Sequence, residues 1–173
     1  SSKDVRWFFD EYITSNERID YALKNSKVKG DSIYVTVKNK KRRKTPIPVY
    51  SFKDDSLTST RWVSGKEKAT TLSYATDNAD RFVLNYENIV PENNLRNNYE
   101  KPGAFLGIDK PFQFKFFQDF ENPSKNQLFF MPVAEFNLYD GFSPGIKLYN
   151  KTLLTKALNY KIEPQIGLKS KKL

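Results

Sequence analysis

The sequence predicts a mainly β protein: a small antiparallel β-sandwich behind one short N-terminal helix, followed by a second antiparallel β region. Three observations carry this expectation. Apolar residues recur with a period of two over most of the chain, turn residues interrupt them at short intervals, and a helical period is confined to residues 4–14. With 38% hydrophobic and 15% aromatic residues in 173, the chain has ample material for packed cores.

In the N-terminal segment Val5, Phe8, Phe9 and Tyr12 stand three and four residues apart, with Asp4 as N-cap and Thr14-Ser15-Asn16 as stop. A helix this short is unstable alone, so its aromatic face is expected to pack on something. From Arg18 the period becomes two. Ile19, Tyr21 and Leu23 alternate with polar neighbours, Lys29-Gly30-Asp31 supplies a turn, and Ile33, Val35 and Val37 follow. Further strands are expected at 47–52, 60–63, 69–74 and 81–86, and Pro46 and Pro48 confine the first of these to an edge or Pro to its first residues. About six or seven short strands within about 70 residues describe a sandwich.

The polar, asparagine-rich run 91–98 reads as a linker, which places domain boundaries at 1–15, 16–90 and 91–173. Beyond it, strands are expected at 112–116, 128–139, 146–149 and 158–162. Turn clusters at 121–124 and 140–145 separate them.

Composition removes whole classes of chemistry. The chain has no histidine and no cysteine, so the common zinc sets, the Ser/His/Asp and Cys/His nucleophile pairs and disulfides cannot be assembled. No cofactor is expected in this chain. The 29 Lys plus Arg against 20 Asp plus Glu leave a net charge of +9, which favours an acidic partner. No apolar run approaches the roughly 18 to 20 residues of a membrane-spanning helix. Met131 is the only methionine, so a chain opening Ser1-Ser2-Lys3 is expected to be processed or excised from a longer polypeptide.

The strongest charge feature is Lys40, Lys41, Arg42, Arg43 and Lys44, which can clamp phosphates and define the alternative of a basic nucleic-acid-binding β protein. A solvated hairpin loop is the preferred reading, because no RNA-binding aromatic signature flanks it. Asp54-Asp55 reads as a turn, Ser26-x-x-Lys29 as chance on a strand, and Asn150-Lys151-Thr152 as a formal glycosylation sequon. Trp62 with neighbouring tyrosines suggests a carbohydrate- or protein-binding surface. Trp7, Phe8, Phe9 and Tyr12 form either a partner-binding patch or, as preferred, an interdomain interface: the end of an upstream domain, buried against the sandwich.

The order Trp7-Phe8-Phe9-Asp10-Glu11-Tyr12-Ile13, then Ile19 to Leu23, then Asp80 to Tyr86, resembles the exit from the catalytic domain of M1-family zinc aminopeptidases. The runs Phe129 to Val133, Phe136 to Gly141 and Gly145 to Leu153 are similar to the C-terminal part of large M1-like proteins of Gram-negative envelopes. The resemblance implies a fibronectin-III-like sandwich following a helical catalytic domain. It implies an accessory, noncatalytic role, with zinc held in an upstream part of the polypeptide that is also the chain's partner. It implies residence in the bacterial envelope, periplasmic or associated with the outer membrane. Alternation at Leu158, Tyr160 and Ile162 is similar to barrel strands, which span with about 9 to 11 residues each, so outer-membrane association is expected through sequence beyond Leu173.

Overall fold

The computed structural model describes residues 9, 13, 16, 18–104, 110–117, 121–152, 156 and 158–170. Strands make up 52% of it and helix 1%, so the protein is mainly β with antiparallel sheets. The chain divides into two compact units, Ser1–Asp109 and Lys110–Leu173.

The first unit is a two-sheet sandwich. One sheet holds β1 (Tyr21–Lys29), β2 (Ser32–Asn39) and β5 (Ala69–Ala75) in the order β1-β2-β5. The other holds β3 (Ile47–Lys53), β4 (Ser56–Val63), β6 (Arg81–Leu84) and β7 (Tyr99–Glu100) in the order β4-β3-β6-β7. All pairings are antiparallel. The β1–β2 turn needs the left-handed conformation that Gly30 adopts (φ +56°). At the β3–β4 turn Asp54 and Asp55 both take positive φ (47° and 62°), the pairing a type I′ hairpin requires and one Asp tolerates.

Period-two alternation decides which side chains enter the core. On β2 Ile33, Val35 and Val37 are buried while Tyr34 and Lys38 are exposed. Opposite them lie Ile47, Val49, Val63, Phe82 and Leu84 of the second sheet. The Tyr74 and Phe82 rings meet at 4.7 Å between centroids. Truncating the fully buried Phe82 to Ala would cost about 3–5 kcal/mol.

One expectation is narrowed and two are corrected. β3 is an interior strand, lying between β4 and β6, so of the two placements expected for Pro48 the second holds: it stands among the strand's first residues. Proline is tolerated because pairing with β6 begins only at Val49, and the Pro48 carbonyl accepts its bond from Asn85 N–H beyond the end of β6 (2.9 Å). The asparagine-rich run is no linker. Its Asn98 is 1% exposed, Asn97 O accepts from Leu23 N–H (2.9 Å) and Asn98 O from Leu84 N–H (2.8 Å), so the run closes the first unit and the chain divides after Asp109. Short polar side chains satisfy buried backbone groups as readily as they solvate a loop, and composition does not separate the two. As for the aromatic segment, Phe9 and Ile13 are 52% and 65% exposed rather than buried against the sandwich. Trp7, Phe8 and Tyr12 lie outside the described residues.

The second unit is a four-stranded sheet of β8 (Phe112–Phe116), β9 (Asn126–Asn137), β10 (Gly141–Tyr149) and β11 (Lys161–Ile162), in the order β11-β10-β9-β8. It is antiparallel except that β8 runs parallel to β9. Residues 141–145, expected as a turn, form the start of β10. The turn itself is residues 138–140, where Asn137 Oδ1 accepts from Tyr139 N–H (3.0 Å) and Asp140 N–H (2.7 Å) and Gly141 takes φ +71°. Pro144 fits because its hydrogen-bonding side faces Ile166, whose N–H donates to its carbonyl (3.0 Å), so the β9 ladder loses no donor.

Candidate functional site

The basic cluster is held from beneath by a buried polar knot. Asn39 Nδ2 donates to the carbonyls of Arg43 (2.7 Å) and Gly65 (2.9 Å), its Oδ1 accepts from Arg43 N–H (3.2 Å), and Tyr21 Oη donates to Thr45 O (2.6 Å). A Cβ on Gly65 would stand 2.3 Å from Arg43 O, so the loop closes only over glycine. Arg43 is buried, and Lys40 faces Asp20 at 3.6 Å. Lys41, Arg42 and Lys44 are left pointing outward. The cluster is thus a structural loop between β2 and β3 that presents three cations, without a stacking surface of aromatics beside them.

The other motifs resolve into local structure. Asp54 and Asp55 are the β3–β4 turn, with Asp55 bonded to Arg81 (2.9 Å) and Asp54 N–H donating to Asp80 (3.0 Å). Ser26 lies at the β1 irregularity, its N–H bonded to Glu100 (3.0 Å). In the sequon, the Asn150 amide bonds Leu158 O (3.0 Å) and Tyr160 N–H (2.9 Å), and Thr152 is buried. Trp62 is 57% exposed on β4, while Tyr50 and Tyr74 of the same sandwich are buried. The described residues contain no group of three or more Asp or Glu able to hold a metal ion. With neither histidine nor cysteine in the sequence, the residues of this chain do not fit the common zinc ligand sets.

Three perturbed ionisable groups sit in the first unit, and at Tyr50 burial and the hydrogen bond to Glu87 (3.1 Å) push the phenol up. Burial pushes the Glu92 carboxyl up. Hydrogen bonds from Tyr21 N–H (3.0 Å), Asn98 (2.6 Å) and Asn85 (3.2 Å) pull it back, and Asp20 nearby pushes it up again. Burial pushes the Tyr74 phenol up to about 12, against the pull of the Arg61 guanidinium, which lies 4.4 Å from its ring centre. Its hydroxyl has no hydrogen-bond partner among the described residues. Tyr74 borders a crevice of about 430 Å³ with Arg61, Ser51, Ser59 and Asn78. Burial is the largest cause in each case, so the pattern is that of buried structure.

The most unusual surface was not anticipated, and it lies in the second unit. Across β9 and β10 the register sets Phe136 beside Phe142, Ala134 beside Pro144, and Phe130 beside Leu148. β8 adds Phe112, Phe114 and Phe116 beside Asn126, Leu128 and Phe130, and β11 adds Ile162 beside Leu148. Directly paired residues share a face. One face is therefore apolar from edge to edge, with Asn126 its only polar residue among the registered pairs. That face is the open one: Phe112, Phe114 and Phe136 are 64%, 67% and 75% exposed.

The reverse face is mixed: the fully buried Phe129 meets Tyr149 there, and Met131 and Val133 lie among polar residues. There Gln127 Nε2 donates to Gln113 (3.0 Å), Ser143 and Gln127 are buried, and Lys147 and Lys161 meet Glu163 at 3.4 and 2.9 Å. A cavity of about 530 Å³ opens on this side, lined by Met131, Lys147, Tyr149 and Lys161 among others. The signal was present in the sequence as Phe112-x-Phe114-x-Phe116 and as Leu128 to Phe136 at every second residue. Alternation alone does not say which face meets solvent.

Among the described residues no helix is long and apolar enough to cross a membrane, a statement that leaves β-barrels aside. No known protein family, curated protein or solved structure matches the chain.

Proposed function

We propose that the chain is a noncatalytic β module of an M1-type metallopeptidase of a Gram-negative envelope, with its sandwich supporting a catalytic domain earlier in the same polypeptide. The winding of the first unit carries the reading. A sandwich of three strands ordered β1-β2-β5 and four ordered β4-β3-β6-β7 supports it, because the resemblance implies a fibronectin-III-like sandwich after the catalytic domain. The resemblance from Asp80 to Tyr86 falls on β6, a strand central to this unit. The mechanism is packing. A sandwich closed by the Phe82 core and the Glu92 bonds gives a stiff body. Phe9, left exposed by this chain, is available to the upstream domain rather than to the sandwich, and Trp7, Phe8 and Tyr12 are assigned to the same seam.

Zinc and every bond-making residue belong to that domain. The purified chain supplied with zinc and an aminoacyl anilide is expected to release no product, and zinc-dependent turnover would overturn the assignment. In the parent polypeptide, Trp7→Ala and Phe8→Ala are expected to lower the temperature at which peptidase activity is lost by several degrees. Unchanged inactivation would remove the seam.

A further inference from the structure

We infer that the apolar face of the β8–β11 sheet is a lipid-contacting surface whose partner is the hydrocarbon of a bilayer. The first ground is exposure. One face presents Phe112, Phe114, Phe116, Phe136 and Phe142, each at least half exposed, while the reverse face holds the buried Phe129 together with Gln127 and Ser143. A wholly apolar outward face at period two is the lipid side of a membrane barrel wall. The second ground is composition. An interface with another protein is about as apolar as ordinary surface and ends in a polar rim, roughly 56–58% non-polar area. This face carries no charge on any registered pair.

Dimensions and ends agree. β9 and β10 have 12 and 9 residues, where a tilted spanning strand needs about 9 to 11. At roughly 3.4 Å per residue β10 is about 30 Å long, and tilted by roughly 45° it covers about 20 Å of a band about 25 Å tall. At the turn joining them Tyr139 is 87% exposed beside Phe136 and Phe142, the aromatic arrangement of a membrane–water boundary. Lys169 donates to Leu138 O there (3.1 Å) and sets a cation at headgroup level. Open edges leave backbone groups unpaired, which hydrocarbon does not tolerate. These strands therefore span only where further strands close the ring, and the 173-residue chain alone lies at the interface with its apolar face down.

Because the chain has no cysteine, single-cysteine variants carry one nitroxide label each. Ile146→Cys and Lys147→Cys are neighbours on opposite faces, as are Phe136→Cys and Glu135→Cys. With neutral phosphatidylcholine vesicles at high salt, the chain is expected to float with the lipid. Labels at 146 and 136 should be reached by dissolved oxygen, and those at 147 and 135 by an aqueous nickel complex. Phe114→Glu and Phe136→Glu, both at exposed positions, should lower the floated fraction by on the order of tenfold while circular dichroism stays unchanged. Three results would overturn the proposal: no binding to neutral vesicles, binding only to anionic vesicles and reversed by salt, or equal accessibility within each pair. A stable dimer in buffer that shields 136 and 146 would also overturn it, since the occupant would then be a second copy. The proposal stands on this sheet alone, so its failure leaves the sandwich's role untouched.

Discussion

Removing the Tyr74 hydroxyl is expected to make the first unit more stable. The residue is 5% exposed, its ring packs on Phe82 at 4.7 Å, and the Arg61 guanidinium covers it at 4.4 Å. Neither contact uses the oxygen, which has no partner among the described residues. A buried polar group left unsatisfied costs about 1–3 kcal/mol, and the adjoining polar crevice puts this one at the low end. Tyr74→Phe should therefore raise the unfolding free energy by about 1 kcal/mol at neutral pH. The alkaline limb gives a second reading. With the phenol raised from 10.0 to about 12, the unfolded chain loses its proton first, so the folded state holds more protons across that window. Stability then falls as pH rises from about 10 to about 12, by up to about 2.5 kcal/mol, and the Phe variant lacks that share of the fall. Urea titrations of both proteins at neutral and alkaline pH measure the difference. A variant less stable than the parent at neutral pH, or two parallel alkaline curves, would refute the reasoning.

Glu92→Ala removes the carboxylate that accepts from Tyr21 N–H and from the Asn85 and Asn98 amides, which keep their bonds to Val90 O and Leu84 O, and should cost about 2 kcal/mol in urea unfolding. Because folding raises the Glu92 carboxyl, the folded state binds the extra proton. The stability Glu92 withholds above its folded pKa therefore returns as pH falls through it, and the difference between parent and Glu92→Gln across acid pH should show that slope. Gly65→Ala forces Cβ against Arg43 O and Lys44 and should lower stability by about 2–3 kcal/mol, read as a drop in Tm. In a mobility-shift titration across a salt series, Lys41, Arg42 and Lys44 should give only weak, shallow-slope binding to DNA or RNA. A slope of several counterions would restore the nucleic-acid reading.

Much of the sandwich is legible in the sequence because its rules are local. Ile33, Val35 and Val37 announce a one-sided strand, Gly30 and Asp54-Asp55 announce tight turns, and all of these hold. The failures share a cause. The cluster 140–145 reads as a turn, yet Pro144 turns its missing donor toward a place where the ladder is short. Glu92 and Asn98 read as linker, yet the Glu92 carboxylate and the Asn98 backbone carbonyl bond the strand residues Tyr21 and Leu84. Exposure of the Phe112–Phe116 and Phe136–Phe142 face was equally hidden, since a period of two fixes the two faces without saying which one packs. As for the basic cluster, its charge was plain while the burial of Arg43 over Asn39 was not.

The proposed support of an upstream catalytic domain is tested by the reading frame preceding Ser1. A His-Glu-x-x-His helix is expected there, with a further glutamate downstream, and a start codon immediately before Ser1 would contradict the proposal.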